Sequence, residues 1–582
     1  MKIIILVKPV VEAKDISFNE DMTLNRSLSL PSLDMADAHA ISVARDLKSA
    51  GGGTIDVLSL SPGYPSTLLG QLKAHDVDHI YQICDSFYRG GDTLATARVL
   101  ASGITYIEDG EPYDLILTGS CSTDSETGQV PSQIASMLSI PVITNAVSVS
   151  KESITRLLED RTEDLIPVFP LVVSCTPKGV ELVPPSLSGM RRAKDIPFVR
   201  ITNKELALKA EECGLAGSCT KVLGNSSRIQ KWRKPSWTSD PEEGARWIMD
   251  EIFRKEQQSE ESVVLKRKTK QQKLPFAVVC PFFDEVGWNT AKEILSEIAY
   301  RGEEGIAVVL GEDPAEEEIN RSGAKEEWFI PLTDTSDDTV YAKTLSKIFR
   351  NFSGEVFFGA SIRMRCVAPL ISAALNCGLT ADCISFSATE SGFEQIRPAF
   401  EGTSEARIIT LGKLGMLTVR PRIYPNRFFE PLSSFSVKNF TLEEVEPIIK
   451  ARSMTSLVTV ASSKSRVMFS IGSGICDRAV RERIASFGCS LGASRKAVCL
   501  YGLPYPCQVG QTGKVIHNEV YVAFGISGAA QHIVGISGVK TIIAVNDDPQ
   551  APIFQFSDKA ICAKAEVVLS YMEKIRRNEN GV

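Results

Sequence analysis

The sequence predicts an α/β protein: two related parallel-sheet domains of the nucleotide-binding type, followed by a C-terminal doubly wound domain. Three observations predict it. Strand-length apolar runs alternate with amphipathic helical patterns through residues 1–200, as expected for strands covered by helices on both faces. A second series of the same kind starts at Phe276 and echoes the first, as if one sheet topology occurs twice. In a third series, three small-residue turns lie between Gly492 and Asn546: Gly492-Ala493-Ser494-Arg495, Gly510-Gln511-Thr512-Gly513 and Gly525-Ile526-Ser527-Gly528.

Composition sets the bounds. A chain of 582 residues is too long for one core and suggests roughly three to five domains. Hydrophobic residues at 43% and charged residues at 23% are ordinary for a soluble globular protein. A net charge of −7 leaves no basic footprint for nucleic acid. No apolar run reaches the roughly 18–20 residues of a membrane span, and the chain opens on a strand without a signal-peptide pattern. The fourteen cysteines form no CxxC pair and no Cys/His cluster, which argues against iron–sulfur or zinc sites and for reduced thiols. A cytoplasmic protein without a metal site is expected. No nucleophile–base pair stands out, so hydrolytic chemistry has little support and no catalytic residue is assigned. The expected divisions are residues 1–235, an arm and flexible linker at 236–273, a second sheet domain at 274–455 and the last domain at 456–582.

In the first domain, Ile3–Val7, Ile55–Leu60, His79–Ile83, Leu115–Thr118 and Leu171–Ser174 read as strands, and Met35–Lys48 and Thr93–Ile107 as helices. Ligands of such sheets sit beyond the carboxyl ends of the strands. There the run Gly119-Ser120-Cys121-Ser122-Thr123-Asp124-Ser125-Glu126-Thr127-Gly128-Gln129-Val130 offers small hydroxylated residues and free amides ahead of a helix near Pro131, which suits a phosphate or serves as a polar loop with a helix cap. Lys8-Pro9 and the turn Asp34-Met35-Ala36-Asp37 lie at neighbouring strand ends, and the turn also reads as a plain N-cap. Leu187 and Met190 sit in a basic, proline-led loop, as core residues at a corner or as an exposed anchor for a partner. Residues 201–235 look polar and irregular, and Pro241–Phe253 looks helical. From Arg254 to Lys273 the chain is charged and amide-rich, a composition that buries too little surface to offset its ordering entropy.

The second domain runs through Phe276–Cys280, the helix Thr290–Tyr300, the strand Gly305–Leu310, the helix Thr339–Phe349 and the strand Glu355–Gly359. In the third, Val467–Ser470 reads as a strand, Gly472-Ser473-Gly474 as a turn and Asp477–Phe487 as a helix. Glycines after an apolar run let a backbone approach a ligand closely, and a following helix start near Ala529 favours negative charge by roughly 0.3–2 kcal/mol. Arg495 adds a permanent cation. The spacing is not GxGxxG, so an ordinary dinucleotide fingerprint is not indicated. The pattern fits a large, doubly phosphorylated cofactor.

The segments ASR, QVGQTGK, GISGAAQH and AVNDDPQAPIF resemble the flavin-binding domain of the electron-transfer flavoprotein alpha subunit. GLTADC, RPAF (Arg397 to Phe400) and VRP (through Arg420) match alpha-subunit signatures in order. IIILVKPV, the turn DMAD and GSCSTDSETGQV resemble the beta subunit, and PPSLSGMRRAK its partner-recognition loop. The resemblance implies a beta subunit fused ahead of an alpha subunit, with the C-terminal doubly wound domain binding FAD. It implies cofactor contacts from Ser494, Arg495, Gln508, Val509, Gly510, Gln511, Thr512, Gly525, Ser527, Gly528, Ala529, Ala530, Gln531, His532 and Asn546. Arg495 would lie beside the flavin ring, Thr512 near its N5, and His532 would donate toward the O2 edge. For AMP, or a second FAD, it implies Lys8, Asp34, Asp37, Gly119, Thr123, Asp124, Thr127, Gly128, Gln129 and Val130. Leu187 falls where the family has its anchoring leucine. Three departures stand out: Asp34 replaces an asparagine, Ser473 an arginine facing the flavin, and Lys564 an aspartate near the adenosine.

The implied function is that of an electron carrier. It would take electrons from a flavoprotein dehydrogenase such as an acyl-CoA dehydrogenase, in fatty acid beta-oxidation, and pass them to a quinone-linked oxidoreductase. One alternative is an electron-bifurcating protein that oxidises NADH at a second FAD. Another is a nonredox adenine-nucleotide sensor.

Overall fold

The computed structural model describes residues 1–10, 31–63, 66–176, 184–185, 187–227, 232–254, 264–267, 274–389, 392–399, 404–441, 443–456, 465–503, 507–510, 516 and 518–579. The chain forms two compact units. The first takes Met1–Ser226, Ser262–Phe400 and Glu405–Ser456; the second is built mainly of Ser227–Glu261 and Leu457–Val582.

The first unit holds two sheets of one topology. In the first half the parallel order is Phe198–Ile201, His79–Ile83, Thr54–Leu60, Lys2–Leu6, Leu115–Gly119, Leu171–Cys175 and Val142–Val149. The second half repeats it with Glu326–Pro331, Gly305–Gly311, Phe276–Pro281, Gly354–Gly359, Leu414–Val419 and Gly378–Cys383. The central strand Phe276–Pro281 is buried at every residue, which is why it reads as unbroken apolar sequence rather than alternating. Short polar caps start the helices: Asp34 for Met35–Gly51, Asp92 for Thr93–Glu108 and Asp284 for Glu285–Tyr300.

The two halves share one core. Ile134 and Ala135 of the helix Val130–Leu138 are buried in the same cluster as Val367, Ala368 and Ile371 of the helix Met364–Leu375. Each fully buried aliphatic side chain contributes about 1.5–3 kcal/mol. A hairpin of the first half reaches across as well: Arg156, 1% exposed, donates to Glu163 and, in the second half, to Asp338 and the Ser336 carbonyl, all at 2.8 Å.

Residues 201–235 are more ordered than expected. Thr220–Ser227 is an edge strand of a four-stranded sheet with Ser404–Thr410, Gly392–Ala399 and Ser385–Thr389. Its few apolar residues carry no period; its pairing partner supplies the order. Part of the expected linker is also docked. Val264 and Leu265 pair in parallel with Phe428 and Phe429, and Arg267 donates to the Asn320, Gly323 and Ala324 carbonyls at the end of the helix Glu316–Arg321. The rest of that stretch, 255–263 and 268–273, lies outside the described residues.

The second unit is a seven-stranded parallel sheet. Its order is Ser236–Thr238, Lys559–Cys562, Thr541–Asn546, Val520–Phe524, Val467–Ile471, Ser490–Ser494 and Gln508–Val509. Apart from the first strand, this is the doubly wound order 6-5-4-1-2-3. The arm between the sheet domains belongs here: Trp237 pairs with Ala560, and Ala245, Ile248 and Met249 of the helix Pro241–Phe253 share a core with Val568, Leu569 and Met572. Among the described residues, no helix is long and apolar enough to cross a membrane.

Candidate functional site

In the second unit the strand order switches direction between Val467–Ile471 and Val520–Phe524, and a doubly wound sheet opens its ligand crevice at that place. The loops leaving these two strands are zipped together. The Gly472 amide donates to the Phe524 carbonyl at 2.8 Å, and the Gly474 amide to the Gly525 carbonyl at 3.1 Å. A Cβ on Gly472 would lie 1.9 Å from the Gly525 oxygen, so only glycine permits the approach. Gly528 has φ +94°, and its Cβ would lie 2.3 Å from the Ile553 nitrogen. Ser527 and Ala529 are exposed at the rim, and the helix Ala530–Ile536 starts there without a side-chain cap.

The neighbouring strand ends complete the crevice. Ser494 caps the helix Arg495–Tyr501, accepting the Ala497 amide at 3.3 Å, and Arg495 is half-buried in its first turn. Ala493 and Ser494 pair with Gln508 and Val509, which brings the first turn beside the second. Gln508 and Val509 are buried, and Gly510 packs against the backbone at Gln531 and Gly535. Gln531 itself is exposed. Gln511 and Thr512, expected at the cofactor, lie outside the described residues, as does the side chain of Ala530.

Two predicted contacts turn inward. His532 Nδ1 lies 3.1 Å from the Val509 carbonyl and Nε2 lies 2.8 Å from the Tyr521 hydroxyl. A carbonyl only accepts, so Nδ1 carries the proton and Nε2 accepts from Tyr521. Burial pushes the imidazole down to about 4, so it is neutral. Both nitrogens of His532, expected to donate toward a flavin ring, are engaged within the protein. Asn546 is likewise used twice, donating to the Ile526 carbonyl at 3.0 Å and accepting the Asp548 amide at 3.0 Å. It clasps the glycine loop.

Ser473 stands in the turn beneath which a cation was missed. Its carbonyl accepts the Tyr501 hydroxyl at 2.7 Å, and Arg481 lies 4.1 Å from the Tyr501 ring centre while donating to the Ile475 and Cys476 carbonyls. Only the helical register of Arg481, four residues past Asp477, pointed that way.

The first half of the first unit carries the second candidate site, the loop between the strand Leu115–Gly119 and the helix Val130–Leu138. Lys8, Asp34 and Asp37 hold this loop from below. Lys8 Nζ donates to Asp124 at 2.6 Å and to Ser122 and Ser125 at 3.1 Å. Asp34 accepts the Ala36 amide at 2.8 Å and the Thr123 amide at 2.9 Å. Asp37 accepts the amides of Lys8 at 2.8 Å and Gly119 at 3.2 Å; burial, then the charge of Asp34, push its carboxyl up to about 7. The aspartate in place of the family's asparagine is thus a loop clasp. Gln129 is engaged between the halves. Its amide accepts from Thr93 and donates to the Leu379 carbonyl of the second half at 3.1 Å, so it bridges the halves. Thr127 and Gly128 are half-buried on the loop, and Val130 begins the helix.

Arg397 of the second half also reaches this loop, donating to the Ser125 carbonyl at 2.8 Å. Asp382 is shared by Arg365 at 2.6 Å and Arg420 Nε at 3.1 Å, and these two guanidiniums, with Arg397 close by, hold its carboxyl well below the usual range despite burial. Leu187, in the short helix Leu187–Arg192, is 76% exposed, which rules out the core-leucine reading.

A repeated pair of parallel sheets and a doubly wound domain with a glycine-zipped crevice define a nucleotide-cofactor protein. Comparison with known proteins narrows the class. The Electron transfer flavoprotein domain matches residues 25–205 and 288–447, and the Electron transfer flavoprotein FAD-binding domain matches residues 462–537. The chain belongs to the electron transfer flavoprotein family. It is 33% identical to the electron transfer flavoprotein subunit alpha of Thermoanaerobacterium thermosaccharolyticum, over 42% of this chain and 78% of that one. It is 35% identical to protein FixB of Bradyrhizobium diazoefficiens, over 41% and 68%. The caffeyl-CoA reductase-Etf complex subunit CarD of Acetobacterium woodii is 29% identical over 39% and 88%.

Proposed function

We propose that this chain is a single-polypeptide electron carrier, with a beta-like half, an alpha-like half and a flavin domain, and that FAD occupies the crevice of the second unit. The observation that carries it is the zipped loop pair at the strand-order switch, inside the residues matched by the FAD-binding domain. The residues there fit such a group: backbone approach at Gly472 and Gly528, a helix start without a side-chain cap after Ala529, and a cation at Arg495. FAD, when bound, supplies hydride and single-electron chemistry. The chain supplies position and charge: Ser527 to Ala529 hold the pyrophosphate, and Arg495 favours negative charge on the ring.

The loop from Gly119 to Val130 takes AMP in this reading. An exposed Leu187 beside Met190, Arg191 and Arg192 offers an apolar anchor ringed by cations to a flavoprotein dehydrogenase, such as an acyl-CoA dehydrogenase. A quinone-linked oxidoreductase accepts the electrons. A second reading, favoured by the likeness to a subunit of a caffeyl-CoA reductase-Etf complex, is an electron-bifurcating protein with a second FAD at that loop in place of AMP.

Acid release of the cofactors from purified protein, followed by chromatographic counting, tests both. About one FAD and one AMP per chain supports the carrier; about two FAD supports bifurcation. A chain that stays colourless when folded and supplied with FAD overturns both and leaves the nonredox sensor.

A further inference from the structure

The two halves of the first unit trade hairpins at equivalent places. The loop after Gly354–Gly359 holds the position in the second sheet that the loop after Leu115–Gly119 holds in the first. In each, the aspartate capping the first long helix bonds the loop: Asp34 the Thr123 amide, Asp284 the Ser361 hydroxyl. What the opposite half sends differs in charge. The first half sends Glu159, whose carboxyl accepts the Ile362 amide at 2.6 Å and is pushed well above the ordinary carboxylate range by burial, so the second-half loop carries an acid of its own. The second half sends Arg397.

Arg397 is 6% exposed and spends only part of its fork. Nη2 donates to the Ser125 carbonyl, while the buried Nε–H has no partner. Holding the loop accounts for the first bond but not for the unspent donor. Beside it lie Asp382, already shared by Arg365 and Arg420, and Glu126. A buried cation with an unbonded donor is costly, and burial outweighs the nearby acids in setting the Arg397 equilibrium downward. An arriving phosphate supplies both the acceptor and the charge.

We infer that Arg397 contacts the phosphate of the adenine nucleotide at the loop from Gly119 to Val130, so that the second half completes the first half's site. This rests on the nucleotide reading of that loop. The ligand class is a nucleoside 5′-phosphate or the adenosine side of a dinucleotide. The bond is a charge-assisted hydrogen bond across the interface of the halves, and it ties their packing to nucleotide occupancy.

The test is calorimetric titration of nucleotide-stripped, flavin-loaded full chain with AMP and with adenosine, for the parent, Arg397→Gln, Arg397→Lys and the control Arg407→Gln. Arg407 lies on the adjacent strand, half exposed and paired with Glu394 at 2.9 Å. Arg397→Gln is expected to lower AMP affinity roughly 10- to 100-fold with adenosine affinity unchanged. Arg397→Lys should fall between, and Arg407→Gln should match the parent. Unchanged AMP affinity in Arg397→Gln, or an equal loss for AMP and adenosine, overturns the inference and leaves the nucleotide reading intact. A parent that binds neither ligand overturns the nucleotide reading, and the inference with it. If Arg397→Gln does not fold, the AMP-to-adenosine ratio of Arg397→Lys decides by the same criterion.

Discussion

The Tyr521 hydroxyl donates to His532 Nε2 at 2.8 Å, and that bond fixes the proton of His532 on Nδ1, facing the Val509 carbonyl. One neutral ring thereby joins the strands Val520–Phe524 and Gln508–Val509 to the helix at the crevice rim. Tyr521→Phe leaves a buried acceptor unmade and should cost about 1–3 kcal/mol in urea unfolding of the flavin-loaded chain. The pH dependence has a definite sign. The folded state holds His532 near 4 against an ordinary 6.5, so its stability contribution is complete above 6.5 and is lost as pH falls toward 4. The slope is up to about 1.4 kcal/mol per pH unit. His532→Gln should flatten it; an unchanged slope assigns it to other groups.

Gly528→Ala should be far worse than Gly502→Ala. Both positions have positive φ, but a Cβ at Gly502 meets nothing within 4 Å, whereas at Gly528 it strikes the Ile553 backbone. Gly502→Ala adds only left-handed strain of about 1–2 kcal/mol. Gly528→Ala must also move the loop. Flavin-to-protein absorbance after gel filtration should drop for Gly528→Ala and stay constant for Gly502→Ala.

Arg156→Met should destabilise the first unit by up to about 3–5 kcal/mol, because buried Glu163 and Asp338 each lose one of two cations, keeping only Arg161 and Arg363, and the Ser336 carbonyl loses its donor. Arg246→Ala, which breaks an exposed pair with Glu242, should change stability by less than about 0.5 kcal/mol. Equal effects in thermal unfolding would falsify the assignment of the buried network to stability.

Asp37 runs opposite to His532 in pH. Its carboxyl is raised to about 7 from 3.8, so its contribution is complete below 3.8 and is lost as pH rises through 7. Asp37→Asn keeps an acceptor oxygen and should reduce the fall in unfolding midpoint between pH 5 and 8.

Arg495→Ala, in chain loaded with FAD, should lower the flavin midpoint potential by tens of millivolts, 59 mV being about tenfold for a one-electron couple. Spectroelectrochemical titration reads it directly. A potential that does not move would place Arg495 away from the ring.

Much of this was legible from local pattern. The repeated strand series, the strand Phe276–Pro281 and the cap at Asp34 follow from periodicity and from a short polar residue ahead of a helix. Glycine turns after apolar runs marked both candidate loops. What local pattern could not show was pairing without period: Thr220–Ser227 and Val264–Leu265 are strands because partners exist elsewhere in the chain.

The sequence by itself determined the order of strands, the places where loops leave them and the glycines that let those loops close, because these depend on residues a few positions apart. Which polar side chains face a ligand and which face each other was decided only by the tertiary structure. Lys8 meets Asp124 across 116 positions, Gln129 meets Leu379 across 250 and His532 meets Val509 across 23. A hydrogen bond is satisfied by whatever folding brings within about 3 Å, and no spacing along the chain announces that neighbour.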